Sequence, residues 1–500
     1  MSQVIGNLIL LETIIAILVG VIGGMVVGAL PGLSATMAIA LLIPLTFTMS
    51  PVTGLVLLVS VYTSAVYGGS ITAILFQTPG TPSSAATAID GYQLTKQGKS
   101  AKAIGIATIS SVIGGVLSGI ALLFLAPPLA IFSLKFSAPE YFLIAVFGLS
   151  IVGGLAGKSM SKGLVGALIG LIIGCVGVDM LTGYARFTFG ITPLESGISL
   201  IPAMIGLFSI SQVMILAEER GKKKEKGTIA NISGDVLPTK REFKGIIKTL
   251  FRSSGIGILV GILPGAGGDI GSWIGYNDAK RTSKNKEQFG KGALEGVAAP
   301  ESANNAVVGG ALIPTLTLGI PGSAATAILL GGLIMQGLVP GHELFTTHAT
   351  ITYSMIFGFI IATVLMGIIG LLGAKYFARL AGISNGILAP IIVSLSIIGS
   401  YAISNSMFDV WVMLLFGVIG YFMRKTGFHA APVILGMILG PIAETGLRQS
   451  FLMTSDPIII YFMSRPISVI IILMTIITLL TPTFVKWKQK RHEQNTSISA

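Results

Sequence analysis

Four Pro-Gly pairs interrupt apolar stretches of this 500-residue chain, at Pro31-Gly32, Pro79-Gly80, Pro264-Gly265 and Pro321-Gly322. Hydroxyl side chains follow three of them: Ser34 and Thr36, then Ser83, Ser84 and Thr87, then Ser323 and Thr326. Proline removes a backbone donor and clashes with the turn before it, and glycine frees the backbone. A helix restarting after such a break aims unpaired N–H groups and a positive dipole end at the gap. Hydroxyls add donors without net charge. The chemistry expected is capture of an anion by Gly32, Ser34, Thr36, Gly80, Ser83, Ser84, Thr87, Gly265, Gly322, Ser323 and Thr326. Small residues also let helices pack closely. That accounts for isolated Gly and Ser, but packing does not require four symmetric prolines.

A second rich stretch is "AAPESANNAVVGG" at Ala298 to Gly310. Glu301, Asn304 and Asn305 lie within about one helical turn. A carboxylate and amide oxygens suit Na⁺ or a proton, while amide N–H groups suit a carboxylate ligand, so Asn304 and Asn305 join the substrate set. An acid inside a membrane is functional by default. Glu301, Asn304 and Asp269 are therefore the cation-coupling candidates; the competing expectation for Glu301 is a helix cap at the membrane interface. Asp90 in "AIDGY" precedes a basic loop and reads as a boundary residue.

The elements that must position these groups are helices in lipid. Charged residues are only 10% of the chain and hydrophobic ones 52%, with 65 Gly; mean hydropathy is +0.87. Apolar runs such as Met355 to Leu372 and Ile467 to Leu480 follow one another. Spans of about 20 apolar residues each imply roughly 11 to 13 spanning or re-entrant segments. Alternating short strands are lacking, which excludes a β-barrel. Leu8 to Leu30 is too long for a signal h-region and lacks a basic n-region, so no cleaved leader is expected. The single cysteine, Cys175, forbids an intrachain disulfide or a thiolate cluster. The net charge of +12 reads as loop lysines and arginines placed by the positive-inside rule rather than as nucleic-acid binding.

Charge sets the orientation. Glu218 to Arg252 holds ten Lys or Arg, including "RGKKKEK" at Arg220 to Lys226, and is expected in the cytoplasm. So are Lys96, Lys99 and Lys102, the pair Lys158 and Lys162, Lys280 to Lys286, and the tail Lys486 to Glu493. Phe47 to Pro51, Pro340 to Thr350 and Ser404 to Asp409 fall outside, as does the N-terminus.

Self-comparison finds "LPG" at Leu30 and Leu263, "AATAI" at Ala85 and Ala324, and "LSIVG" at Leu149 matching "LSIIG" at Leu395. The ordered set marks two homologous halves. Basic loops in one half match uncharged loops in the other, the signature of inverted-topology repeats in secondary transporters. The expected fold is an all-α polytopic membrane protein of two inverted-topology repeats with Pro-Gly-broken or re-entrant helices. Residues 1–217 form the first repeat, 218–252 a basic cytoplasmic linker with a short surface helix around Lys240 to Leu250, 253–485 the second repeat, and 486–500 a cytoplasmic tail. Trp411 and Tyr421 read as interfacial anchors.

Other chemistries are excluded. "GKS" at Gly98 and Gly157 lacks the phosphate-loop glycine five residues earlier, where Gln93 and Val152 stand. No HExxH occurs, and His342, His348, His429 and His492 form no tight set. The intramembrane aspartyl protease motif fails because Ala266 precedes Gly268-Asp269 where a glycine is needed. The chain is thus expected not to be an enzyme. An anion channel built on the same half-helices is the alternative to a transporter.

At these residues the sequence resembles the large membrane subunit of the tripartite tricarboxylate transporter (TctA-type) family. The most specific stretches are "GALPGLSATMAIALLIPLTF" from Gly28, "YGGSITAILFQTPGTPSSAATAIDGY" from Tyr67, and "FGKGALEGVAAPESANNAVVGGALIPTLTLGIPGSAATA" from Phe289. Phe76-Gln77-Thr78 departs from the pattern, where an apolar residue or Asn is expected. The resemblance implies a bacterial inner-membrane secondary transporter importing di- or tricarboxylates such as citrate by symport. It implies a small membrane subunit and an extracytoplasmic solute-binding protein as partners, no cofactor, and Na⁺ or H⁺ as the coupling ion.

Overall fold

In the computed structural model, residues 2–30, 33–155, 160–179, 182–218, 235–263, 265, 267–380 and 385–479 are described. Pro31, Gly32, Lys158, Pro264, the Arg220 to Lys226 run and the 486–500 tail lie outside the described residues.

The first half comprises α1 (Ser2–Ile9), α2 (Leu11–Ala29), α3 (Ala35–Thr46), α4 (Pro51–Phe76), α5 (Ala85–Lys96), α6 (Ser100–Ser133), α7 (Ala138–Leu155), α8 (Met160–Gly174), α9 (Leu200–Ile205) and α10 (Ser211–Glu218). A π-helical turn at Gly206–Ile210 joins the last two. The second half comprises α11 (Lys240–Ile262), α12 (Gly267–Thr282), α13 (Leu294–Leu318), α14 (Ala324–Met335), α15 (His342–Phe345), α16 (Ala349–Leu380), α17 (Asn385–Ser404), α18 (Met407–Lys425), α19 (Ala430–Leu452) and α20 (Ile458–Met463). A last apolar helix covers Pro466–Leu479. Among the described residues, strand is confined to one small hairpin, β1 (Gly177–Val178) with β2 (Ala185–Arg186).

Nine helices among the described residues are long and apolar enough to cross a membrane, and five shorter apolar helices accompany them. α13 has 25 residues, about 37 Å of helix, yet is not one of the nine, because Glu295, Glu301, Asn304 and Asn305 dilute its apolar content. The helix expected around Lys240 to Leu250 does not stop there. It runs on to Ile262 as α11, opened by a capping box between Thr239 and Glu242 and seated by buried Ile246 and Leu250. No proline or capping residue interrupts it before Leu263.

The order long helix, break, short helix, long helix, break, short helix occurs once as α2 to α5 and once as α11 to α14. Packing recurs with it. A Cβ on Gly24 would meet Val61 O, and one on Gly257 would meet Ala303 O. Gly28 lies against Ala65 O and Gly261 against Val307 O; Gly68 lies against Met25 O and Gly310 against Ile258 O. Each pair of positions is separated by 233 residues on the outer helix and 242 on the central one. Only glycine permits such backbone approach. Both central helices, α4 and α13, are almost wholly buried.

The described chain forms two compact units. One contains residues up to Ser133 together with Ser199–Thr426, and holds α4 and α13. The other contains Leu134–Ile198 and the residues from Gly427 onward. In the second unit, fully buried Glu140 accepts from Arg465 Nε and Nη2 at 2.7 and 2.8 Å, from Ser468 Oγ and from Ser137 N–H. Arg186 is held to Glu444 at 2.6 Å, a bond that raises its pKa further.

Candidate functional site

The site grows from the breaks. After α4 the chain turns at Gln77, whose φ of 55° is left-handed, and after α13 it turns at Gly319 with φ 68°. Glycine or asparagine is usual at such a helix end, and Gln77 is neither. Gly80 N–H donates to Gly69 O at 3.2 Å, and Gly265 N–H to Gly322 O at 3.0 Å. Gly80 presses on Gly28 O and Gly322 on Gly261 O, so these two breaks lie on α2 and α11 respectively. Thr81 Oγ1 bridges Ser83 (3.2 Å) and Ser84 (3.1 Å). Ser323 and Thr326 cap α14 reciprocally, each side chain accepting the other's backbone N–H.

The central helices reach across. Tyr62-Thr63 on α4 and Asn304-Asn305 on α13 occupy the same register, 242 residues apart. Tyr62 Oη lies 2.9 Å from Ser323 Oγ, at the break of the second half. Asn304 faces the first half's break: a Cβ on Gly268 would collide with its Oδ1 and lie 3.2 Å from Ser83 Cβ. Asn304, Ser83 and the first turn of α12 therefore converge. Asn304 is 1% exposed, and neither its Oδ1 nor its Nδ2 has a protein partner. A buried amide without partners costs about 1–3 kcal/mol per group, so such a group marks a place built for something else. Asn305 Nδ2 donates to Thr63 O (3.3 Å) and Oγ1 (3.4 Å), and its Oδ1 is also unpartnered. Thr63 Oγ1 touches Thr363 Oγ1 of α16 at 3.3 Å.

Glu301 lies one turn before Asn304, fully buried. Thr87 Oγ1 donates to its Oε1 at 2.5 Å and Ser111 Oγ to its Oε2 at 3.0 Å. It is no interfacial cap. The acid belongs to the second half, and Thr87 follows the first half's second break.

Several expected residues thus come together: Ser83, Ser84, Thr87, Glu301, Asn304 and Asn305, with Ser323 and Thr326 attached through Tyr62. Others are engaged locally. Ser34 accepts the Met37 N–H at 3.2 Å as the cap of α3, while Leu33 and Met37 pack with Val213, Leu216 and Ile392. Thr36 is half-buried on the first turn of α3, whereas Asp269, exposed on the first turn of α12 beside Gly268, faces Tyr62 of the site. Gly32 is outside the described residues. Asp90 is not a boundary residue. It is fully buried, and its Oδ1 accepts from Gly290, Gly292 and Ala293 N–H at 2.8–2.9 Å. Tyr276 donates to its Oδ2 at 2.9 Å. Sequence reasoning missed Tyr62, Thr63, Ser111, Thr81 and Thr363. For Tyr62, Thr63, Ser111 and Thr363 the one signal is a hydroxyl inside an otherwise apolar helix; Thr81 lies in the break after α4.

The arrangement offers donors and a neutral amide to an anion, and one acid that meets only hydroxyls. Among the described residues no group of three or more His, Cys, Asp or Glu forms a metal cluster. Cys175 has its thiol pushed up by burial and by Glu444.

Comparison with known proteins places the chain in a family. An uncharacterized 52.8 kDa protein of the TAR-I ttuC' 3' region of Agrobacterium vitis is 38% identical over 90% of this chain and 89% of its own length. An uncharacterized protein of the TAR-II ttuC' 3' region of the same organism is 37% identical over 42% of this chain and 87% of its own length. No solved structure matches. The model of the tripartite tricarboxylate transporter TctA family matches residues 14–435. With nearly the whole length matched and nine candidate spans in place, the chain belongs to the tripartite tricarboxylate transporter TctA family, as a multi-pass membrane subunit.

Proposed function

We propose that this chain is the translocating subunit of an importer of di- or tricarboxylates in a bacterial inner membrane, with its C-terminus in the cytoplasm. The observation that carries the reading is the unpartnered, buried Asn304 amide set between Ser83 and the start of α12. There two restarted helices and Ser83, on the first of them, converge on one neutral amide, a constellation suited to a carboxylate. Broken helices in corresponding places of two halves favour a midplane site and inverted repeats. Transport is coupled to Na⁺ or H⁺, and substrate arrives on an extracytoplasmic solute-binding protein through a system that includes a small membrane subunit.

The test is uptake of labelled citrate, tartrate and succinate by right-side-out vesicles carrying the full system. Accumulation against a gradient, lost in Asn304→Ala, is the expected result. Flux that only follows the membrane potential and needs no binding protein would make the chain an anion channel instead.

A further inference from the structure

The glycine packing of α2 on α4 recurs in α11 on α13, but the acid of α13 does not recur in α4. Glu301 has Val59 as its counterpart, 242 residues earlier. Thr87 has Thr326 as its counterpart, 239 residues later, yet their hydroxyls differ in use. Thr326 serves the cap of its own helix, whereas Thr87 leaves its helix and binds Glu301. The acid is an asymmetric insertion into a symmetric frame, and symmetric packing does not require it.

Its surroundings limit what it does. Its two oxygens accept from Thr87 of α5 and Ser111 of α6, and the Ser70 hydroxyl of α4 also lies beside it. Several charged groups of the helices packed around α13 pair elsewhere. Lys102 of α6 binds Glu242 of α11 at 2.8 Å, and Arg252 of α11 binds Asp278 of α12 at 2.6 Å. Asp90 of α5 is taken up by Gly290, Gly292, Ala293 and Tyr276 of α12. Glu295 of α13 itself accepts from Thr249 and Ser283, and Asp269 of α12, exposed, faces Tyr62. The titratable group facing Glu301 from α4 is Tyr67, whose Oη lies 2.7 Å from Thr108 Oγ1.

A hydroxyl is donor and acceptor at once and rotates to suit. Thr87 and Ser111 donate to a carboxylate; either accepts from a carboxylic acid. The pocket therefore serves the charged and the neutral acid without leaving an oxygen bare. The neutral oxygens a metal ion would need are a turn away, on Asn304 and Asn305.

Resting on the transport reading above, we propose that the coupling ion is a proton and that Glu301 is its carrier. The proton adds to a Glu301 carboxylate oxygen from extracellular water while the substrate sits at Asn304. It returns to cytoplasmic water after the substrate leaves. Only an O–H bond forms and breaks. Asn304 and Glu301, one turn apart on α13, let substrate and proton be sensed by the same turn of helix.

The test separates this proposal from the reading it rests on. In right-side-out vesicles with the full system, exchange of labelled for unlabelled citrate, tartrate or succinate reports transport alone; no exchange of any of the three overturns both ideas. Addition of the exchanged substrate should alkalinise a weakly buffered medium, and an imposed inward proton gradient should raise accumulation at least tenfold with sodium equal on both sides. Glu301→Gln should abolish the alkalinisation and the gradient response. Thr87→Val and Ser111→Ala, whose folding cost is smaller, should shift the midpoint of the pH dependence of exchange toward higher pH, because each removes a donor from the charged form. Accumulation driven by a sodium gradient at equal pH, or an unchanged pH profile in inserted Glu301→Gln, Thr87→Val and Ser111→Ala, overturns the proton assignment and leaves transport standing.

Discussion

Tyr62 Oη and Ser323 Oγ, 261 residues apart in sequence, lie 2.9 Å from each other and join the central helix of the first half to the break of the second. Ser323 also caps α14 with Thr326. Tyr62→Phe removes the bridge and leaves the cap. It should cost about 1 kcal/mol of stability at most and lower carboxylate uptake. Ser323→Ala loses both bridge and cap, adding about 1 kcal/mol. Thermal unfolding in detergent and vesicle uptake, run on both variants, separate the two contributions.

Gly268 is the close neighbour of the unpartnered amide. Gly268→Ala drives a methyl group onto Asn304 Oδ1 and toward Ser83. Uptake should fall at least tenfold although alanine suits a helix better than glycine. Gly255→Ala on α11, where a Cβ meets nothing within 4 Å, is the control. It should gain about 0.5–1 kcal/mol and transport normally.

Asp90 is an anchor, and its loss should look like misfolding rather than a transport defect. Asp90→Ala strands three backbone N–H groups and the Tyr276 hydroxyl. Hydrogen bonds to a charged group are worth about 1.5–3 kcal/mol each, so the total loss should exceed about 3 kcal/mol. Membrane yield and melting temperature would show it; a well-folded variant with normal yield would refute the anchoring role.

Gln77 carries a left-handed conformation that side chains resist. Gln77→Gly, matching Gly319 at the same register, should raise stability by about 0.5–1 kcal/mol. A drop in melting temperature would mean that the Gln77 side chain makes up for its backbone.

The breaks were legible because proline and glycine act on their own backbone wherever they sit. The recurrence of α2 to α5 in α11 to α14 was legible because the repeated motifs are contiguous words. What was not legible depends on distance in sequence. Thr87 meets Glu301 across 214 residues, and nothing near either announces the other. Tyr62, Thr63 and Ser111 are single hydroxyls in apolar helices, and a hydroxyl reads the same whether it serves a neighbour's carbonyl or a site. Asp90 misled because a boundary acid and a buried one differ only in what folds over them, here the turn at Gly290 to Ala293. α13 carried its polar side chains openly, yet their division into an unpartnered amide and a hydroxyl-bound acid needed three dimensions.

The glycine contacts of α2 with α4, and of α11 with α13, have a mechanical consequence. Where backbone lies on backbone there is no side chain to bend, so the seam has almost no compliance. Each long helix, its central partner and the Pro-Gly break resting on it form one stiff member. A transport stroke that carries the substrate must move such a member whole, and the slack must lie at its ends, in the turns at Gln77 and Gly319 and in the links that follow.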